Sequence, residues 1–244
     1  MNTLTPRSPA KPLIGKTLEK WEGGGYPRTP IKMRWLLPLL LAAPALAQQP
    51  SALELSRRVD AHYNHLQSLE AHYTERYQGM GMDRSETGTL TLQKPGRMRW
   101  AYDSPAGKLF LLDGKDAISY TPGDAQAERF SEKQLDDLRS PLRFLLGHTE
   151  LAKELDNLSL TLVSDSPRTY SLRGTPKGIS QRLRSIALTV DANGQIHSMR
   201  IEEVDGSATT FTFTAMRENI PTAASEFTFT PPPGVTLVNG AAPI

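Results

Sequence analysis

Apolar and polar side chains alternate with a period of two through most of the chain from about residue 70 onward. Met98, Trp100 and Tyr102 share one side of such a segment, and Arg97 and Arg99 share the other. A period of two is typical of a β-strand with one buried face. This pattern therefore predicts that the chain folds mainly as β-structure.

Turn-forming pairs separate the alternating segments, at Pro95-Gly96, Asp113-Gly114, Pro122-Gly123, Asn193-Gly194 and Asp205-Gly206. Such pairs let the chain reverse direction within a few residues. Strands are predicted on either side of Pro95-Gly96 and then at 108–112, 117–121, 127–130, 158–164, 168–173, 182–190, 196–204, 208–216 and 226–230. About eleven short strands in one chain indicate a single curved antiparallel sheet, a barrel or half-barrel, in one domain.

Two helical segments interrupt this β pattern. Ser51 is an expected N-cap with Glu54 three residues later, and apolar residues at helical spacing predict an amphipathic helix over 51–68. A helical stretch is also predicted from Ser131 to about Glu154, and it contains a short helix over 140–147. The predicted class is therefore mainly β with helices, α+β.

The first 47 residues are expected to lie outside this domain. Residues 1–32 are rich in proline and glycine without apolar periodicity, which predicts disorder or an incorrectly assigned extension of the reading frame. Residues 33–47 have the basic start, apolar run and small-residue end of a secretory signal peptide. Pro38 and Pro44 interrupt the run, which is shorter than the roughly 20 residues of a membrane span. A single mature domain over 48–244 is predicted.

Charge and cysteine content exclude several classes of function. Cleavage would remove seven of 28 basic and two of 26 acidic residues, leaving 21 and 24 and a net charge of −3. Nucleic-acid binding, which requires clustered positive charge, is therefore not expected. The absence of cysteine excludes a thiol nucleophile, a cysteine-ligated metal and a lipid anchor on cysteine.

No arrangement of residues indicates catalysis or metal binding. His62 and His65 lie three apart on the first helix without an evident third ligand, and Asp136 and Asp137 are adjacent and so cannot face each other on a helix. Glycine-rich phosphate loops and nucleophile elbows are missing from the sequence. We predict no catalytic residue, no metal site and no cofactor.

Apolar residues are the more unusual feature. Leu109 and Leu111 alternate with Phe110 and Leu112, so both faces of one strand are apolar, and 144–146 places three large apolar residues in one helical turn. Two interpretations remain open for such residues. They form an ordinary core beneath a helix, or they line a dry cavity for a lipid.

Several segments together resemble the periplasmic outer-membrane lipoprotein carrier family, LolA. They are Gly88 to Trp100, Asp113-Gly114, Ser140 to Gly147, Asn193 to His197 and Glu226 to Val235. The resemblance implies an unclosed antiparallel barrel capped by helices and enclosing a hydrophobic cavity. It also implies a monomeric periplasmic carrier without a cofactor, which accepts triacylated lipoproteins from an inner-membrane ABC transporter complex and passes them to an outer-membrane acceptor.

The resemblance also assigns residues to roles. Lys94 stands where the family usually has arginine before the proline, a position tied to lid closure and onward transfer, and Phe144 to Leu146 would form the lid helix. The residues expected to bind lipid are Leu90, Leu92, Met98, Trp100, Leu109, Leu111, Phe144, Leu145, Phe211 and Phe213. A periplasmic module that senses lipids or lipoproteins through the same half-barrel is the alternative, and a lipid hydrolase is a more distant one.

Overall fold

The computed structural model describes Gly25, residues 49–131, Leu145 and residues 150–240. The chain divides into two units, 1–46 and 47–244, and every helix and strand described below belongs to the second unit. Apart from Gly25, the predicted extension 1–32 lies outside the described residues, as do the predicted signal peptide 33–47 and Phe144 of the predicted lid helix.

Twelve strands of the described residues form one sheet, in the spatial order β12-β6-β5-β4-β3-β2-β1-β11-β10-β9-β8-β7. The strands are β1 Ser68–Gly79, β2 Met82–Gln93, β3 Arg97–Ser104, β4 Leu109–Asp113, β5 Asp116–Tyr120, β6 Gln126–Ser131, β7 Leu155–Asp165, β8 Arg168–Pro176, β9 Leu183–Asp191, β10 Ile196–Glu203, β11 Ala208–Glu218 and β12 Thr236–Asn239. The two edge strands, β12 and β7, are not paired with each other, so the sheet is an open half-barrel. The predicted fold class is confirmed.

Neighbouring strands are consecutive antiparallel hairpins except at two places: β1 pairs antiparallel with β11, and β12 runs parallel to β6. The strand predicted at 226–230 is wrong. Residues Ala224–Phe227 form a 3-10 helix, and Phe227 is buried against Leu111 and Ile118 instead of pairing in the sheet. The alternation of Phe227 and Phe229 therefore reflects the packing of both side chains onto the surface of the sheet. The last strand, β12, comes after Pro231, Pro232 and Pro233 and pairs with the edge of β6.

Helix α1 spans Ala52–His65, and Ser51 caps it by accepting a 3.1 Å hydrogen bond from the Glu54 amide. Its buried residues include Leu55, Val59 and Tyr63, which form the apolar stripe expected from the sequence. The helix ends before the predicted residue 68 because β1 begins there. A second short helix, α2, spans Leu151–Glu154. Within the described residues, no helix has the length and apolar character needed to cross a bilayer.

Polar contacts fix α1 against the sheet. Arg58 donates a 2.8 Å hydrogen bond to the Ala192 carbonyl, and the Ile196 amide donates one of 3.1 Å to the Tyr63 hydroxyl. The Leu151 amide at the start of α2 donates to the Asp60 carboxylate at 3.1 Å. These contacts hold the helix at the end of the sheet where β9 turns into β10.

Gly194 in that turn allows the closest approach of α1. Its φ is +92°, and a Cβ built there would lie 2.5 Å from the backbone carbon of Arg58. We expect Gly194→Ala to lower the free energy of unfolding by about 2 kcal/mol or more, because the methyl group meets helix backbone that cannot move aside easily.

Gly206→Ala is the matched control for this prediction. Gly206 has nearly the same φ, +89°, but open space around its Cβ position, so only the roughly 1 kcal/mol cost of the left-handed conformation is expected. Urea denaturation of both variants makes the comparison. Equal losses of unfolding free energy in the two variants would contradict a steric clash with α1 at position 194.

Candidate functional site

One side of the sheet, here called the inner face, carries an apolar surface that packs against α1. Cross-strand pairs join Leu90 to Trp100 and Leu92 to Met98, and all four side chains are buried. The same buried cluster includes residues from both halves of the sheet and from the helix, among them Leu55, Val59, Leu69, Ala71, Tyr73, Leu172, Leu188, Met199, Phe211 and Phe213. Seven of the predicted lipid-binding residues therefore lie together: Leu90, Leu92, Met98, Trp100, Leu145, Phe211 and Phe213.

An aromatic group is centred on Trp100. The ring centroid of Tyr73 lies 4.6 Å from that of Trp100 in an edge-to-face arrangement, and the Phe211 and Phe213 rings lie at 5.3 and 6.3 Å. These rings come from β1, β3 and β11, and the sheet order β3-β2-β1-β11 places all three strands within four neighbouring positions. Aromatic side chains in such contacts provide large apolar area with defined geometry.

Leu109 and Leu111 do not join this group. Because side chains alternate along β4, it is Phe110, opposite Trp100, that faces inward. Leu109 and Leu111 instead face the opposite side of the sheet, here called the outer face, where Leu111 forms a second cluster with Ile118 and Phe227. The thickness of the sheet thus separates these two predicted lipid-binding residues from those in the inner-face cluster.

Of the predicted lid helix, Leu145 is the residue that the structure describes. It is helical and buried, and it belongs to the same cluster as Trp100. Its position is therefore over the inner face, together with α1. Phe144 lies outside the described residues.

Lys94, the predicted latch residue, connects the β2–β3 turn to α1. Its ammonium group donates a hydrogen bond to the backbone carbonyl of Tyr63 in the last turn of the helix. Carbonyls in this turn have no partner within the helix, and a cation there also complements the helix dipole. Burial lowers the pKa of the Lys94 amine. The side chain thus holds the carboxyl end of α1 over the sheet.

The inner face becomes polar at the end remote from α1. The Tyr102 hydroxyl donates a 3.1 Å hydrogen bond to Glu75, and the Lys108 ammonium donates one of 2.5 Å to the buried Glu86. Lys108 also lies 4.2 Å above the Tyr102 ring. Leu92 lies six positions from Glu86 along β2, which corresponds to about 20 Å. The inner face is therefore amphipathic along its length.

Sequence reasoning missed the polar end and the tyrosine next to Trp100. The signal was present in the alternation of Leu69, Ala71, Tyr73 and Glu75, which continues one side of β1 from apolar to acidic residues. Recognising it requires the pairing of β1 with β2 and β11, which the sequence does not supply.

Histidines on α1 make local contacts. His62 Nε2 lies 2.8 Å from a Glu218 carboxylate oxygen, and His65 Nδ1 lies 2.7 Å from the Ala61 carbonyl oxygen. In the part of the chain that the structure describes, no group of three or more histidine, aspartate or glutamate side chains is placed to hold a metal ion.

Glu75 makes the stability of this site depend on pH. Burial raises the pKa of its carboxyl, and the charge of Glu86 adds to this effect although Tyr102 donates to it. A raised pKa in the folded chain means that the fold binds the proton more tightly than the unfolded chain, so stability increases as pH falls through the folded-state pKa. We expect the unfolding free energy of the wild type, measured relative to Glu75→Gln, to rise as the pH falls from neutral toward the ordinary carboxyl pKa of 4.5.

Urea titrations at several pH values test this expectation, with the exposed Glu128→Gln on β6 as a control for the loss of one carboxyl. A difference between wild type and Glu75→Gln that stays constant with pH would contradict it.

Comparison with known proteins adds to this description. Residues 64–230 match the model of the family described as outer membrane lipoprotein carrier protein LolA. An outer-membrane lipoprotein carrier protein of Photobacterium profundum is 31% identical over 150 residues, which cover 62% of this chain and 70% of the relative. Its counterpart in Cupriavidus necator is 27% identical over 201 residues, covering 78% and 90%.

Among solved structures, an uncharacterized conserved protein of Thermus thermophilus aligns with a TM-score of 0.51 at 12% identity, covering 78% of this chain and 99% of that one. At this identity the match shows a shared fold. The family match spans more than half of the chain and includes β1 to β11, and with it the strands of the inner face. This chain therefore belongs to the outer membrane lipoprotein carrier (LolA) family.

Proposed function

We propose that this protein binds the acyl chains of lipoproteins released from the inner membrane and carries them through the periplasm to the outer membrane. The observation that carries the proposal is the amphipathic inner face. It offers a continuous apolar surface around Trp100, covered by elements that are separate from the sheet. Membership of a family named for lipoprotein carriers supports the same function.

The physical requirement on such a carrier is twofold. Acyl chains exposed to water cost about 25 cal/mol for each Å² of apolar surface, so the carrier must cover them. It must also release them, which requires a cover held by a few contacts that can be broken. Lys94 and Asp60, which bond the Tyr63 carbonyl and the Leu151 amide, provide contacts of this kind around α1.

The proposal includes the setting of this transport. The cargo would be triacylated lipoproteins handed over by an inner-membrane ABC transporter complex, and the recipient would be an outer-membrane acceptor. The protein would act as a periplasmic monomer, without cofactor and without covalent chemistry. The basic start, apolar run and small-residue end over 33–47 support export from the cytoplasm.

Neighbouring residues on opposite sides of β4 test the proposal. Phe110 and Leu109 are both partly buried, but Phe110 packs with the inner-face cluster and Leu109 with the outer-face cluster. Phe110→Glu places a charge where acyl chains would lie, and we expect it to lower the amount of lipoprotein recovered with the protein from periplasm about tenfold or more. Mass spectrometry of the bound material provides the measurement.

Leu109→Glu is the control, since it introduces the same charge on the same strand and is expected to leave the bound lipoprotein within about twofold of wild type. Thermal denaturation of both variants accounts for effects on folding. Equal recovery of lipoprotein with wild type and Phe110→Glu would contradict the inner face as the binding surface.

Substitution of Lys94 tests whether its bond to the Tyr63 carbonyl keeps α1 closed over the inner face. Lys94→Met retains the aliphatic stem but removes the ammonium group, and loss of its bond to the Tyr63 carbonyl is expected to cost about 1 kcal/mol. The last turn of α1 should then exchange its amide protons faster, and a fluorescent acyl probe should both bind and dissociate faster, because the cover opens more often.

Lys115→Met removes an exposed lysine in the β4–β5 turn and is expected to change neither exchange nor probe kinetics. Lys94→Arg should keep amide exchange and probe kinetics as slow as in the wild type, because it retains a donor at the helix end. Unchanged kinetics in Lys94→Met would rule out the latch.

A further inference from the structure

Two polar atoms of the inner face are buried without hydrogen-bond partners among the described residues. They are the indole nitrogen of Trp100 and the hydroxyl oxygen of Tyr73. Both residues are only 2% exposed, and their rings are in contact at a centroid distance of 4.6 Å. The two atoms thus belong to neighbouring side chains in the centre of the candidate site.

Both groups are hydrogen-bond donors. An indole nitrogen can only donate. Burial raises the pKa of the Tyr73 hydroxyl, with Tyr102 and Glu75 adding to the effect, so that it retains its proton at neutral pH. A buried donor that finds no acceptor costs free energy that phenylalanine in the same place would avoid. The local packing makes room for Tyr73, because it lies opposite Gly88, where a Cβ would come within 2.7 Å of the hydroxyl oxygen.

The surroundings define the acceptor that would suit these donors. On one side lie apolar residues, with Leu90 paired to Trp100 and the rings of Phe211 and Phe213 beside it. On the other side lie the carboxyl groups of Glu75 and Glu86 with their partners Tyr102 and Lys108. The donors therefore mark the boundary between the apolar and polar parts of the inner face.

A ligand that fits this boundary has a hydrocarbon chain and, at its polar end, an uncharged acceptor. A plain hydrocarbon would leave both donors unpaired. A free carboxylate would give up its hydration in this buried site and would lie near the Glu75 carboxyl, so it is disfavoured. The carbonyl oxygen of an ester or amide satisfies both conditions.

We propose that the Trp100 indole N–H and the Tyr73 hydroxyl donate hydrogen bonds to carbonyl oxygens at the ester or amide linkages of acylated cargo. This inference rests on the proposed function and deepens it, because the site would recognise the linkage of the acyl chain in addition to its apolar length. Ester linkages occur both in acylated lipopeptides and in glycerophospholipids, and the experiment treats the two sources separately.

Matched ester and ether ligands test the proposal, because an ether retains the chain and lacks the carbonyl oxygen. The probes are a dipalmitoyl-glyceryl-cysteinyl peptide and dipalmitoyl phosphatidylcholine, each with its dihexadecyl ether analogue. We expect the full-length mature protein to bind the ester lipopeptide roughly five- to tenfold more tightly than its ether, which corresponds to one or more neutral hydrogen bonds. A similar ratio for the phospholipid would extend the recognition to membrane lipids.

Tyr73→Phe and Trp100→Phe each remove one donor and keep an aromatic ring. Both are expected to reduce the ester-to-ether affinity ratio toward 1, and the ratio itself cancels any general loss of stability or packing. Tyr120→Phe is the matched control, since it removes a tyrosine hydroxyl from the outer face, where the Tyr120 ring contacts Phe229. Its ratio should equal that of wild type.

The outcomes separate this inference from the proposed function. Tight and equal binding of ester and ether by the wild type would overturn the carbonyl recognition and leave acyl binding intact. Binding of none of the four probes would overturn both proposals. A ratio that falls equally in Tyr73→Phe, Trp100→Phe and Tyr120→Phe would also overturn the carbonyl recognition, because the effect would then not belong to the two unpartnered donors.

Discussion

The need to cover one apolar face of an open sheet is the constraint on which the rest of this structure depends. A closed barrel would bury its interior by its own strands, whereas here the edge strands β7 and β12 are not paired with each other. Helix α1 and the side chain of Leu145 cover the inner face instead. The residues that stabilise the fold are thus the same residues that would contact an acyl chain.

The contacts that attach α1 to the sheet follow from these two roles of the inner face, in stabilising the fold and in the proposed binding of acyl chains. Its apolar stripe packs on the sheet without directional preference, so polar contacts determine its position. Arg58 and Lys94 both donate to backbone carbonyls, of Ala192 and Tyr63. The Lys94 bond lies at the carboxyl end of α1 and the Arg58 bond near its middle, and both can be exchanged for bonds to water at small net cost. The helix can therefore be firmly placed and still be displaced by a ligand that offers equivalent apolar surface.

The sequence allowed the main architecture to be predicted because it depends on local patterns. Alternation and turn pairs located β2 to β11 but assigned no range to β1 or β12, and Ser51 marked the start of α1. The strand predicted at 226–230 failed because Phe227 alternates with Phe229 for a different reason, as both pack on the outer face with Leu111. A period of two records which side is buried, and it does not distinguish a strand within a sheet from a segment lying on one.

The site was predictable where the alternation within a single strand shows which of its residues share a face. Met98 and Trp100 share a side by parity alone, and Leu90 and Leu92 do the same on β2. In β4 every residue from Leu109 to Leu112 is apolar, so parity separates the two sides but does not say which faces inward. That choice is made by the register that places Phe110 opposite Trp100. Register is a long-range property that local pattern does not contain.

The polar end of the inner face shows why a binding surface differs from a core that serves stability alone. Glu86 is 6% exposed, and burying its charge is tolerated because Lys108 bonds it. Apolar residues in these positions would bury the same area without that electrostatic cost. Such a surface would nevertheless be uniform along its length and could not orient an amphipathic molecule. The polar cluster, at the end of the sheet opposite to α1, gives the inner face a direction, so an acyl chain would lie under the helix and its headgroup would lie near Glu75 and Glu86.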